Sequence, residues 1–200
     1  MLSRTFGPNA LKADRMCAYS KACDKYDFHL IPYDVLDEIG FFTAPASSKY
    51  HGAYEGGLFD HSYQVFRRLE ELTKNNNLSW QRDESPLVVG MFHDLCKCDQ
   101  YIELPFDDAM GAMAYFLADK PQNGKYAHNE DLLLEGHGEK SVMLLSMYTP
   151  LTEEEVLCIR YHMGAYQIDD WKGFDRAIKK FETVFYTHAA DMLASKVDDV

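Results

Sequence analysis

Along most of the chain, apolar positions recur at three- and four-residue steps, the spacing of one face of an α-helix. Leu58, His61, Val65, Leu69 and Leu72 keep that step from Leu58 to about Asn75, where three asparagines end the run. His61 therefore sits within an apolar stripe. Upstream, a helix is expected roughly from Ala10 to Lys25, with Leu11, Met16 and Tyr19 on its buried side. A short helix opens at Pro32 and runs through Ile39 to Gly40. Residues 41–57 read as loop, because Pro45, Ser47, Ser48, Gly52, Gly56 and Gly57 prevent a long regular element. Ser85 to Cys96, with Pro86 in its first turn, reads as a helix buried all round. Gly136 and Gly138 bracket His137 before periodicity resumes through Val142, Leu144, Leu145 and Tyr148. After Pro150, Thr152 caps a helix with Glu155 at the capping-box position. That helix carries Val156, Ile159 and His162 up to Gly164. A last helix, roughly Ala177 to Val197 and interrupted near Phe181, aligns Val184, His188, Asp191 and Ser195 on one face.

Residues 101–135 differ. Met113–Leu117 and Lys125–His128 flank a turn-rich stretch with Pro121 and Asn123-Gly124, a pattern that suits a small β-hairpin around 113–128 or a loose loop. With no repeat, no low-complexity tract and no linker, the expectation is an all-α fold in a single domain over residues 1–200, with residues 1–49 as a helical extension.

Two hundred residues suffice for one real core. No apolar run approaches the roughly 20 residues that span a bilayer, and the first residues lack the apolar segment of a secretory signal. Five cysteines, an odd number with no CxxC pair, suit free thiols in a reducing cytoplasm. The formal charge of −12 changes the picture most. Proteins that grip long nucleic acid usually present a basic face, and no Lys/Arg run here exceeds two residues. A long polyanion is disfavoured; a small phosphorylated molecule, such as a nucleotide, at a local positive site is not.

The candidate chemistry centres on His93-Asp94, which follows the apolar run Leu87–Phe92. An ionised carboxylate carried into a core costs several kcal/mol or more unless it is paired or bound to a metal. A compensating cation is expected, and His61, His137, His162 and Asp191 supply further donors from other elements. Neutral imidazole and carboxylate suit Zn, Mn, Fe or Ni. Six groups exceed a four-coordinate structural zinc site, so two divalent ions with open positions fit better, a pair able to activate water and clamp a phosphoryl oxygen.

The order His61, His93-Asp94, His137, His162, Asp191 resembles the HD-domain superfamily of metal-dependent phosphohydrolases. So do the phrases Gly56-Gly-Leu-Phe-Asp-His61-Ser, His93-Asp-Leu-Cys-Lys97 and Ala189-Ala-Asp191-Met-Leu. The likeness covers about residues 50–196. His51-Gly-Ala-Tyr54 is similar to the HD domain of bacterial 3′→5′ exoribonucleases, whereas Gly136–Ser141 and Tyr161–Gly164 resemble small bacterial and phage HD hydrolases. The resemblance implies a helical bundle around the metals, with His61, His93, Asp94 and Asp191 at a first site. Asp94 would bridge to a second ion at His137 and His162. Cys96 stands where the family commonly has glycine. The metals implied are Fe, Mn, Zn, Ni or Mg.

Around these ligands, Lys97 is expected one turn from Asp94 as a phosphate contact, a proton donor to the leaving oxygen, or an ion-pair partner. His51 and Tyr54 on the glycine-rich loop, and Lys140, are candidate substrate contacts. His188 is expected to orient a ligand, Cys96 and Cys98 to pack rather than ligate, and Tyr101 or Tyr115 to stack on a base. His29 and His128 carry no expected role. The leading expectation is a phosphohydrolase in which Asp94 and Lys97 are catalytic. Its rivals are an exoribonuclease-like nuclease, a di-iron HD oxygenase and a metal-binding protein without catalysis.

Overall fold

Leu58, His61, Val65 and Leu69 are each 0% exposed along one side of α3 (Gly57–Asn76), the helix on which the others assemble in the computed structural model of the chain. The structure describes residues 5–28, 30–103, 126–164 and 170–200. Among them are eight α-helices and one two-stranded antiparallel sheet, the all-α fold with a small hairpin that the periodicity predicts. No helix among the described residues is long and apolar enough to cross a membrane.

α1 (Lys12–Tyr26) and α2 (Tyr33–Glu38) match the expected elements. Leu11, expected on the buried side, is instead 67% exposed because it precedes the first helical turn; Tyr19 takes the core position. The segment 41–56, expected as loop through 57, has no regular element, and Gly57 already opens α3. Phe41 and Phe42 are nevertheless fully buried and pack edge-on or tilted against Phe59 and Phe92.

α4 (Ser85–Phe92) is buried on every side and lies against α3. The approach is close: a Cβ on Gly90 would stand 2.4 Å from the Phe66 Cα. Only glycine lets the two backbones meet here, and the crossing puts His93 beside His61. The helix expected to reach Cys96 ends sooner. His93 is its C-cap, Asp94 leaves helical geometry at φ −107° and ψ 20°, and a 3-10 turn (Leu95–Cys98) follows.

β1 (Tyr101–Glu103) pairs antiparallel with β2 (Tyr126–His128). The second strand of the expected hairpin is therefore observed, but its partner is 101–103. The other expected strand, 113–117, lies outside the described residues.

α5 (Gly138–Ser146) packs on α6 (Glu153–Tyr161) and on the 3-10 turn, and α6 reaches α4 and α8 (Thr183–Lys196). Both bonds of the Thr152/Glu155 capping box are present. The interruption at Phe181 divides the last expected helix in two. α7 (Trp171–Lys180) starts earlier than expected, because the Asp170 carboxylate accepts from the Gly173 amide as its N-cap. α8 returns to α3 and completes the bundle.

Candidate metal centre

The six expected donors come from five places in the fold, His93 and Asp94 being neighbours, and all six are buried. α3 and α8 contribute His61 and Asp191 from their inner faces. His93 and His162 stand at the C-caps of α4 and α6, and His137 is the N-cap residue of α5. At the two C-caps one geometry recurs. His93 Nδ1 lies 3.0 Å from the Gly90 carbonyl oxygen and His162 Nδ1 lies 2.7 Å from that of Ile159. The last-turn carbonyls of a helix lack intrahelical partners, so each ring donates Nδ1–H backwards and presents an Nε2 lone pair forwards. His61 does the same from mid-helix, with Nδ1 2.9 Å from the Val200 carbonyl oxygen.

These forward nitrogens converge on Asp94. Its Oδ2 lies 3.6 Å from His61 Nε2 and 3.4 Å from His93 Nε2. Its Oδ1 lies 3.0 Å from His137 Nε2 and 3.4 Å from His162 Nε2. Asp191 Oδ1 stands 3.1 Å from His61 Nε2. The two carboxylate oxygens thus face two different histidine pairs, in the manner of a bridging ligand. Two groups of donors lie close enough to share an ion, His61/His93/Asp94 and Asp94/His137/His162.

Without a cation the arrangement is poorly satisfied. The His61 and His93 Nε2 atoms sit 3.2 Å apart, lone pair to lone pair once both Nδ1–H groups are engaged. Asp94 Oδ1, His137 Nε2 and His162 Nε2 are buried with no hydrogen-bond partner. Orphaned buried acceptors cost about 1–3 kcal/mol each, and a divalent cation satisfies several at once. The donor set of four imidazoles and two carboxylates fits one or two such ions.

The charges are consistent with this. Burial works against ionisation of Asp94, but Lys97 and the surrounding imidazoles outweigh it and hold the carboxyl well below its ordinary pKa. Asp191 is likewise lowered against the opposing effect of burial, chiefly by His61. Burial lowers His137, favouring the neutral imidazole a metal requires.

Lys97 Nζ lies 2.7 Å from Asp94 Oδ2. Burial disfavours its charge, yet the Asp94 carboxylate prevails and raises its pKa. A cavity of about 120 Å³ opens onto this pair, lined by His51, Asp94, Lys97, Asp191 and Ser195, with Met192 among the apolar residues. His51 ends there: its ring centroid is 5.2 Å from that of His61, its Nδ1 has no partner, and burial lowers its pKa to about 4. The Tyr54 hydroxyl donates to Asp60 Oδ2 at 3.0 Å. Lys140 Nζ, expected near substrate, donates to Asp99 Oδ1 at 2.6 Å. His188 Nδ1 contacts the His162 carbonyl oxygen at 2.7 Å, so it steadies the backbone that carries the His162 ring. Tyr101 is in β1; His29 and Tyr115 fall outside the described residues. A larger groove of about 740 Å³ shares no residue with the cluster.

Two contributors, Arg15 and Val200, escaped the sequence reading, and Cys96, expected only to pack, contacts a donor. Arg15 reaches from α1 to grip Asp60, the neighbour of His61, through Nε at 2.7 Å and Nη2 at 3.0 Å. The Val200 carbonyl holds His61, and Cys96 Sγ lies 3.3 Å from His137 Nδ1. Neither Arg15 nor Val200 carries a local signal, since each acts across a long stretch of chain. The helical fold and its buried His/Asp cluster are compatible with an HD-type metal site. Comparison with protein-family models, with curated proteins and with solved structures finds no match to this chain.

Proposed function

We propose that the chain is a metal-dependent phosphohydrolase acting on a small phosphorylated substrate, a nucleotide for example. The observation that carries this reading is the division of Asp94 between two histidine pairs beside an open cavity. A closed structural metal site needs no such opening. His61, His93, Asp94 and Asp191 would hold one divalent cation, and Asp94, His137 and His162 a second. When bound, such ions supply Lewis acidity and acidify water enough for attack at phosphorus near neutral pH.

The chain's own residues do the rest. Lys97, with a raised pKa, is a poor proton donor; its ammonium opposes negative charge developing on a phosphoryl oxygen. His51, neutral near pH 7, offers a hydrogen bond at the cavity wall. Gly90 and the cap carbonyls fix the imidazoles before substrate arrives, so little reorganisation is left to the reaction. The small cavity and the net charge of −12 support a small substrate over a long strand.

The test is metal analysis of protein purified without chelator, then a nucleotide and phosphodiester panel with Mn, Fe, Zn, Ni and Mg. Hydrolysis that is lost on chelation and restored by one metal supports the proposal. A nitrogen-rich donor set also suits iron, so a second reading is di-iron oxygenase chemistry. Iron content with oxygen uptake, in place of phosphate release, would replace the first reading with the second. Preference for labelled oligonucleotides over mononucleotides would favour the nuclease.

A further inference from the structure

The two halves of the donor cluster are not built alike. Around Asp94 Oδ2 stand His61, His93 and, beside His61, Asp191; around Oδ1 stand His137 and His162 alone. Lys97 contacts Oδ2 on the first half, where Asp191 adds a second carboxylate beside His61.

The supports behind the ligands differ as well. His61, His93 and His162 each rest on a backbone carbonyl. His137 rests on a thiol, Cys96 Sγ, 3.3 Å from its Nδ1. Cys96 is fully buried, and its sulfur is placed directly behind the His137 ring. Thiol sulfur is a weak acceptor, so a His137 whose Nε2 binds a metal gets less help from behind than its three counterparts. Its backbone is also held differently. His137 is an N-cap residue after Gly136 at φ +114°, and Gly138 packs so closely that a Cβ would meet the Arg160 carbonyl oxygen at 2.5 Å. The orphaned Nε2 of His137 shows that the ring nevertheless points at Asp94 Oδ1.

Resting on the metal reading above, we infer that Cys96 is the positioning residue of the His137 cation position, and that this position is the weaker, exchangeable one of the two. The fold gives the first cation position more donors, and it supports one of the two imidazoles of the second by a thiol in place of a carbonyl.

The experiment is calorimetric titration of the metal-stripped full chain with Zn²⁺, repeated with Co²⁺ to follow each step by its visible absorption. Wild type is expected to show two steps, the second about tenfold or more weaker. Cys96→Ala should weaken the second step by a further ten- to hundredfold, a typical effect of removing a partner behind a ligand, and leave the first unchanged. Cys96→Ser, nearly the same size and with a better acceptor, should restore the second step or tighten it. This variant keeps the test open if the alanine variant fails to fold. His137→Ala should show the first step alone. Two equal steps in wild type, or a Cys96→Ala that shifts both steps alike or neither, would overturn the inference and spare the metal reading. No bound metal in wild type would overturn both.

Discussion

At the scale of single residues, the cluster is explained by where each imidazole proton goes. His93 and His162 give theirs to carbonyls three residues back, and His61 gives its own to Val200. Their Nε2 lone pairs therefore face a carboxylate that is already anionic, an arrangement that a cation between them would satisfy. Replacing Asp94 by Ala should remove the shared ligand of both positions. Metal content by mass spectrometry is expected to fall to near zero and hydrolysis to vanish, with the far-UV circular dichroism unchanged. Lys97→Ala separates charge stabilisation from metal binding: metal content should hold while kcat falls about a hundredfold, as for loss of one preorganised donor. A Lys97 variant whose activity falls only in proportion to lost metal, and returns when metal is added, would assign the lysine to the ion pair alone.

At the scale of elements, helix ends and crossings set the geometry. The sequence places His93 and Asp94 on one continuous helix, and a continuous helix would aim consecutive side chains about 100° apart. Ending α4 at His93 and turning Asp94 into a 3-10 segment lets both face the same point. That break has no sequence marker as plain as Gly or Pro, which is why periodicity runs past it. The α3/α4 crossing depends on Gly90. In Gly90→Ala the new Cβ meets Phe66 backbone at 2.4 Å, so the helices must part. Overpacking of this kind typically costs about 1–3 kcal/mol, and thermal melts should show it. Metal affinity should drop with it, because His61 and His93 sit across that crossing. Thr152→Ala removes the cap of α6 observed at its capping box. A loss of about 1 kcal/mol is expected in urea unfolding.

At the scale of the molecule, distant segments close over the centre. Arg68 takes Asp198 through Nε at 2.7 Å, Gln64 Nε2 adds a bond of 2.7 Å, and this clamp seats Val200 against His61. Burial opposes the charge on Asp198, yet the bonds from Arg68 and Gln64 outweigh it and depress its pKa. A carboxylate depressed in the folded state contributes stability that is whole above its unfolded pKa, about 3.9, and is lost as pH falls through the folded value. Wild type should therefore exceed Asp198→Asn in stability at neutral pH, with the gap closing below about pH 4. Chemical unfolding across pH measures it, and a gap that widens in acid would refute the clamp.

Much of this was legible in the chain. Three- and four-residue periodicity marks the helices because burial of one face is what holds them. The unusual entry of His93-Asp94 into an apolar run marks the centre, because a buried charge demands a partner. What the sequence alone determined is the helical class, the capping box of α6 and the set of groups able to ligate. Tertiary structure alone decided that Asp94 shares its oxygens between two pairs and that α4 stops at His93. It also decided that Arg15, Cys96 and Val200 stand behind the site. Periodicity reports which face of an element turns inward, through interactions within a few residues. The orientation of a ring or the partner of a carboxylate is set by groups far away in sequence, and only the packed chain brings those together.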